Sequence, residues 1–127
     1  MGELSTRPRV LLADDYPDMV KAVCRVLSLD CEVVGTVSDG SALLEAVQRL
    51  EPDVIVLDLN LPNIDGLSAC RQITHLNPAT KVIMFTAVTD PDIRQASVAA
   101  GASAFVSKMA WGDDLLSAIK HLCADRD

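Results

Sequence analysis

The chain has 127 residues, half of them hydrophobic but only 3% aromatic, and a formal net charge of −7. That length suits one domain able to bury roughly two thirds of its unfolded surface, and the composition makes its core aliphatic. The acidic balance, with a pI near 4.6, argues against the domain itself gripping nucleic acid or an anionic membrane. No apolar run approaches the roughly 18 residues of a membrane helix and the start lacks a signal-peptide h-region, so a cytoplasmic location is expected. Met1-Gly2-Glu3-Leu4-Ser5-Thr6 fits the loose myristoylation pattern. A pattern this short has many other causes, and lipidation is not expected. Cys24, Cys31, Cys70 and Cys123 show neither C-x-x-C nor metal-ligand spacing. They suit small core residues in a reducing cytosol.

Residues 1–8 are expected to be a flexible start and residues 9–127 the domain. Arg9-Val10-Leu11-Leu12-Ala13 reads as a strand buried on both faces and ends on Asp14-Asp15. Tyr16-Pro17-Asp18 opens a helix, with Pro in the first turn where its missing N–H costs nothing. Val20, Val23, Cys24 and Leu27 give that helix its apolar face. Glu32–Val37 is a second strand. Ser38-Asp39-Gly40 offers N-cap chemistry for a helix whose apolar face is Leu43, Leu44, Val47 and Leu50. Glu51-Pro52-Asp53 stops it.

Val54-Ile55-Val56-Leu57 is the most completely apolar strand, and it ends on Asp58. Leu61-Pro62 and Asp65-Gly66 then force a turn before a helix marked by Leu67, Cys70, Ile73 and Leu76 and closed by Asn77-Pro78. Lys81–Phe85 is a fourth strand, ending at Thr86-Ala87. Thr89-Asp90-Pro91-Asp92 caps a helix that stops at Gly101. Ser103–Ser107 is a fifth strand, ending at Lys108. The last helix starts near Gly112-Asp113-Asp114, where acids suit a helix N-terminus, and buries Leu115, Ala118, Ile119 and Leu122. His75 and His121 sit late in helices and read as surface residues. Trp111, the only tryptophan, is either a staple for the last helix or a partner contact.

Short strands alternating with helices through connections of a few residues imply right-handed crossovers and a parallel sheet covered on both faces. The expected fold is a single-domain, doubly wound α/β sandwich. In such sheets ligands sit at the carboxyl ends of the strands, beside the switch point. Four of the five apolar runs end on functional groups: Asp14-Asp15, Asp58, Thr86 and Lys108. Close carboxylates repel by several kcal/mol per pair at an effective dielectric of about 20, and a bound cation relieves this. All-oxygen ligation with an open position for phosphate suits Mg²⁺. A carboxylate facing Mg²⁺ can serve as nucleophile toward a phosphoryl group, with Lys108 and Thr86 holding the phosphoryl oxygens.

From about Arg9 to the last helix, these motifs together resemble the receiver domain of two-component response regulators. The matching residues are Asp14-Asp15, Asp58 with Leu61-Pro62 and Asp65-Gly66, Thr86-Ala87, and Phe105 with Lys108. The resemblance implies a flavodoxin-like sheet of order 2-1-3-4-5. It implies Asp58 as phosphoacceptor, and Mg²⁺ held by Asp14, Asp15, Asp58 and the main-chain carbonyl of Asn60. Thr86 and Phe105 become the switch pair that reshapes the face of helix 4, strand 5 and helix 5. The phosphodonor partner is a histidine kinase or phosphotransfer protein, and a homodimer is possible through that face or through helices 1 and 5. Such a domain supports only its own phosphorylation and dephosphorylation.

The segment Gly101–Lys108 further resembles the subfamily that carries a helix-turn-helix, so an attached DNA-binding output domain is expected. Two departures matter. Met109 stands where many receivers have Pro, so a trans bond is expected after Lys108. Phe105 has no phenol, so its outward state should be less specifically held.

Other readings fit less well. A haloacid-dehalogenase-type phosphohydrolase wants an acid/base Asp where Asn60 stands. A flavodoxin-like cofactor carrier would find Asp14-Asp15 repelling its phosphate. A stand-alone receiver, or an interaction module that is never phosphorylated, shares the motifs and is separated only by a phosphate-transfer assay.

Overall fold

A computed structural model describes residues 7–88 and 90–124. In chain order the elements are β1 (Arg9–Ala13), α1 (Pro17–Leu27), β2 (Glu32–Val37), α2 (Gly40–Leu50), β3 (Val54–Leu57), α3 (Gly66–Leu76), β4 (Lys81–Thr86), α4 (Pro91–Ala99), β5 (Ala104–Ser107) and α5 (Gly112–Cys123). The five strands are all parallel and lie in the order β2-β1-β3-β4-β5. This is the doubly wound, flavodoxin-like sandwich expected from the sequence.

Strand alternation divides the core in two. Leu11, Ala13, Ile55, Leu57, Val82 and Met84 face α2, α3 and the end of α4. Val10, Leu12, Val54, Val56, Ile83, Phe85 and Val106 face α1 and α5. Because the central strands are buried on both sides, they carry polar residues only at their first or last positions and just beyond. Helix starts follow the sequence closely. Asp39 Oδ1 accepts from Ala42 N at 2.8 Å, Asp65 Oδ1 from Ser68 N at 2.9 Å and Asp90 Oδ1 from Asp92 N at 2.9 Å, each capping its helix. Thr89 lies outside the described residues.

Some expectations are corrected. Leu76, placed on the apolar pattern of α3, is 60% exposed in the last turn. Ala118 and Leu122, expected to be buried, are only half-buried because the outer flank of α5 meets solvent, whereas Leu44, Leu50 and Leu67 pack against the core from the apolar faces expected of them. β5 begins at Ala104, one residue later than expected, although Ser103 N–H already donates to Val82 O at 2.8 Å. Arg7 and Pro8, expected in a flexible start, are tied to the sheet edge. The Arg7 guanidinium donates to Ser28 O at 2.8 Å and Cys31 O at 2.7 Å, and Pro8 O accepts from Glu32 N. Residues 1–6, with the myristoylation-like pattern, and residues 125–127 lie outside the described residues. All four cysteines are free, Cys31 and Cys70 fully buried, and burial pushes the Cys70 thiol up to about 11. No helix among the described residues is long and apolar enough to cross a membrane.

Candidate functional site

The chain order of the strands reverses between β1 and β3, and their C-terminal ends form the switch-point crevice. The ladder fixes the residues just beyond the strands. Asp14 N–H donates to Val37 O at 3.0 Å, Asp58 N–H to Ala13 O at 2.9 Å and Lys108 N–H to Thr86 O at 2.9 Å. Each is one further rung of the sheet, so the side chains inherit the precision of the core. β2, the strand without a functional end of its own, supplies the carbonyl that pins Asp14.

Three of the sequence-predicted residues converge on one point. Asp14, Asp15 and Asp58 each present an oxygen, and the three oxygens lie within 4.8 Å of one another. Lys108 Nζ stands 2.7 Å from Asp14 Oδ2 and 3.3 Å from Asp58 Oδ2. Asp14 and Asp58 are buried and Asp15 is exposed. The other oxygens of the buried pair are held by a shared device. Asp14 Oδ1 accepts from Tyr16 N at 3.0 Å and Asp58 Oδ1 from Asn60 N at 3.1 Å, two Asx turns that aim both carboxylates inward. These amides carry no side-chain signal, and sequence reasoning passed over Tyr16 in this role.

The electrostatics favour a further cation. One ammonium faces three carboxylates, and like charges at this spacing repel by about 3–4 kcal/mol at an effective dielectric of about 20. Burial raises the Asp58 carboxyl above its ordinary 3.8, with Asp14 adding to the rise. The Asn60 amide and Lys108 oppose it without cancelling it. Asp14 Oδ2 is buried and makes no directed hydrogen bond, its contact with Lys108 being an ion pair only. An under-satisfied buried oxygen within an all-oxygen donor set fits a hard divalent cation. The exposed Asn60 lies in the loop that follows β3, two residues after Asp58.

Thr86 and Phe105 lie further along the sheet. Thr86 is buried at the end of β4, and its Oγ1 accepts from Val88 N at 3.1 Å. In the β4–β5 register Met84 pairs with Phe105 and Thr86 with Ser107, which puts Thr86 and Phe105 on the same face of adjacent strands. On the opposite face Lys108 Nζ lies 5.5 Å from the centroid of the Phe85 ring. Trp111 packs edge-on against Phe85 at 6.1 Å and occupies the N-cap position of α5, which favours the staple reading over a free partner contact. His75 and His121 are exposed. No peptide bond among the described residues is cis, so Lys108–Met109 is trans as expected.

The two glycines flanking the loop after Asp58 have a role beyond turning. A Cβ on Gly66 would sit 2.6 Å from Asp58 O and 2.7 Å from Leu59 Cα. A Cβ on Gly40 would sit 2.2 Å from Ile64 O. The starts of α2 and α3 therefore clamp the 59–66 loop, and Asp65 is the α3 N-cap rather than a free turn residue.

Residues 10–120 match the family model of the response regulator receiver domain. The chain belongs to that family. A protein-glutamate methylesterase/protein-glutamine glutaminase of Koribacter versatilis is 38% identical over 115 residues, covering 87% of this receiver domain and 31% of the relative. The probable transcriptional regulatory protein NarL of Mycobacterium tuberculosis is 31% identical over 121 residues, covering 94% of this chain and 56% of the relative. The solved receiver domain of the putative NarL from Mycobacterium tuberculosis superposes with a TM-score of 0.90 at 30% identity, covering 96% of this chain and all of that one. The receiver domain thus spans about a third to a half of these curated relatives.

Proposed function

We propose that this receiver domain is a phosphorylation-controlled switch in which Asp58 accepts a phosphoryl group from a histidine kinase or phosphotransfer protein. The observation that carries this reading is the meeting of Asp14, Asp15 and Asp58 oxygens within 4.8 Å beside the half-buried ammonium of Lys108. In this reading Asp14, Asp15, Asp58 and the main-chain carbonyl of Asn60 hold Mg²⁺. When bound, Mg²⁺ supplies the positive charge that lets acidic side chains and a phosphoryl group share one edge.

The chain's own residues do the rest. An Asp58 carboxylate oxygen forms a bond to phosphorus while the donor's phosphorus bond breaks and the leaving group departs with its electron pair. The Asx turn at Asn60 keeps that carboxylate aimed out of the sheet end. Lys108, already within reach of both buried carboxylates, neutralises phosphoryl charge as it accumulates. The Thr86 hydroxyl leaves Val88 N and turns toward the phosphoryl group, and Phe105 turns into the vacated space. The domain supports only its own phosphorylation and dephosphorylation. The greater length and transcription-regulator name of the NarL relative support an attached DNA-binding output domain, and we propose a homodimer through the α4–β5–α5 face or through α1 and α5. The location that fits is cytoplasmic.

Intact-mass measurement after incubation with Mg²⁺ and acetyl phosphate tests the reading. One added phosphoryl group is expected, lost on chelation of Mg²⁺, in Asp15→Ala and in Asp58→Asn. Equal labelling of wild type and Asp58→Asn overturns it, and no labelling of either leaves the unphosphorylated interaction module as the better description. Lys108→Ala should bind Mg²⁺ and fail to respond.

A further inference from the structure

The two phenylalanines occupy opposite faces of the sheet and are covered in different ways. Phe85 is fully buried beneath Trp111 and Lys108. Phe105 is half-buried, and an exposed residue of α4 covers its open side. The Arg94 guanidinium carbon stands 5.2 Å from the Phe105 ring centroid, inside the range of a cation–π contact. Both side chains line a groove of about 420 Å³ whose far wall is Asp114 and Ser117 of α5. A phenylalanine has no hydroxyl with which to fix its resting position. The ring quadrupole is its only polar handle, and Arg94 occupies it. The guanidinium plane can stack on the ring, which a compact, strongly hydrated ammonium does less well.

We propose that Arg94 is a positioning residue that sets the resting balance of the switch by stacking on Phe105 and holding the ring at the groove. This rests on the reading of Thr86 and Phe105 as the switch pair. When Phe105 turns inward the stack is lost, so Arg94 favours the unmodified state and raises the threshold for the response. A ligand shifts such an equilibrium only through its differential affinity, so weakening the resting state lowers the ligand needed. The expected effect is about two- to five-fold, the equilibrium factor for an exposed cation–π contact of about 0.5–1 kcal/mol.

Two measurements test this. The first is the χ1 rotamer distribution of Phe105 in the unmodified protein, read by NMR couplings and NOEs. Wild type should favour one rotamer, Arg94→Met should spread the distribution and Arg94→Lys should fall between. The second is half-saturation by beryllofluoride with Mg²⁺, read by Trp111 fluorescence, which should fall two- to five-fold in Arg94→Met by the same factor. In a Phe105→Leu background Arg94→Met should change nothing. Unchanged rotamers in Arg94→Met, or the same half-saturation shift with and without the Phe105 ring, overturns the proposal. If wild type takes up no beryllofluoride, the reading of Asp58 fails instead, and the rotamer distribution alone decides the role of Arg94.

Discussion

β3 and α3 differ sharply from α4 and β5 in how they are held. Every residue of β3 is buried, and α3 buries Gly66, Ala69, Cys70 and Ile73. By contrast α4 buries only Ser97 and β5 only Val106. Asp58 follows the first strand, and Phe105 sits in the second. A carboxylate cluster needs side chains fixed to a fraction of an ångström, which a doubly buried strand provides. In the proposed switch, a surface that changes when that cluster is modified has to lie where rearrangement costs little. The two halves of the sheet divide these demands between them.

The division is broken most directly by truncating each half. Ile55→Ala in β3 should cost about 2–5 kcal/mol, since the side chain is fully buried. Val98→Ala on α4, where the side chain is 65% exposed, should stay within about 0.5 kcal/mol. Comparable losses in urea unfolding would erase the contrast. The glycines sharpen it further. Gly66→Ala drives a methyl into the Asp58–Leu59 backbone and should cost about 1–3 kcal/mol. Gly112→Ala opens α5 with nothing within 4 Å of the new Cβ and should gain about 0.4–1 kcal/mol.

A smaller effect follows from Asp58 itself. Burial raises its folded-state carboxyl above the unfolded 3.8, so between those two values the folded protein binds more protons than the unfolded chain. Stability therefore falls as pH rises from the ordinary carboxylate range through the raised value, and the full penalty is present above it. Asp58→Asn removes that penalty. Without divalent cation its melting temperature should exceed wild type's at neutral pH, and the advantage should vanish as pH drops below the ordinary carboxylate range. Mg²⁺ should narrow the gap by stabilising wild type alone, by about 2.7 kcal/mol at a hundredfold excess over its dissociation constant. An advantage that persists in acid would mean the gain is not electrostatic.

A modest change in stability is expected at the end of β4, where the two sides meet. Thr86→Ala leaves Val88 N–H without its hydroxyl acceptor, a cost of about 1 kcal/mol. Asp58 should still accept a phosphoryl group in intact-mass measurement, while Trp111 emission and sedimentation no longer respond. A normal response would remove Thr86 from the coupling.

The sequence was most legible where local pattern and burial agree. The apolar runs of β1, β3 and β4 state their double burial residue by residue, and the polar residues that follow them mark the crevice. Less legible were features made by approach across the chain. Asp65-Gly66 reads as a turn, yet Gly66 is small because α3 packs on the Asp58–Leu59 backbone. The helical spacing of Leu76 carries no information on where α3 leaves the core. Phe105 was expected to lack a specific hold, and its cover comes from Arg94, eleven residues earlier on an element with a weak amphipathic signal. The amides of Tyr16 and Asn60 are invisible because every residue has one.

Hydrogen exchange with and without Mg²⁺ and beryllofluoride tests the division of the sheet most directly. Amides of β1 and β3 should keep their protection in both states, while those of α4, β5 and the start of α5 change. A change spread evenly through the sheet, or one confined to β1 and β3, would contradict it.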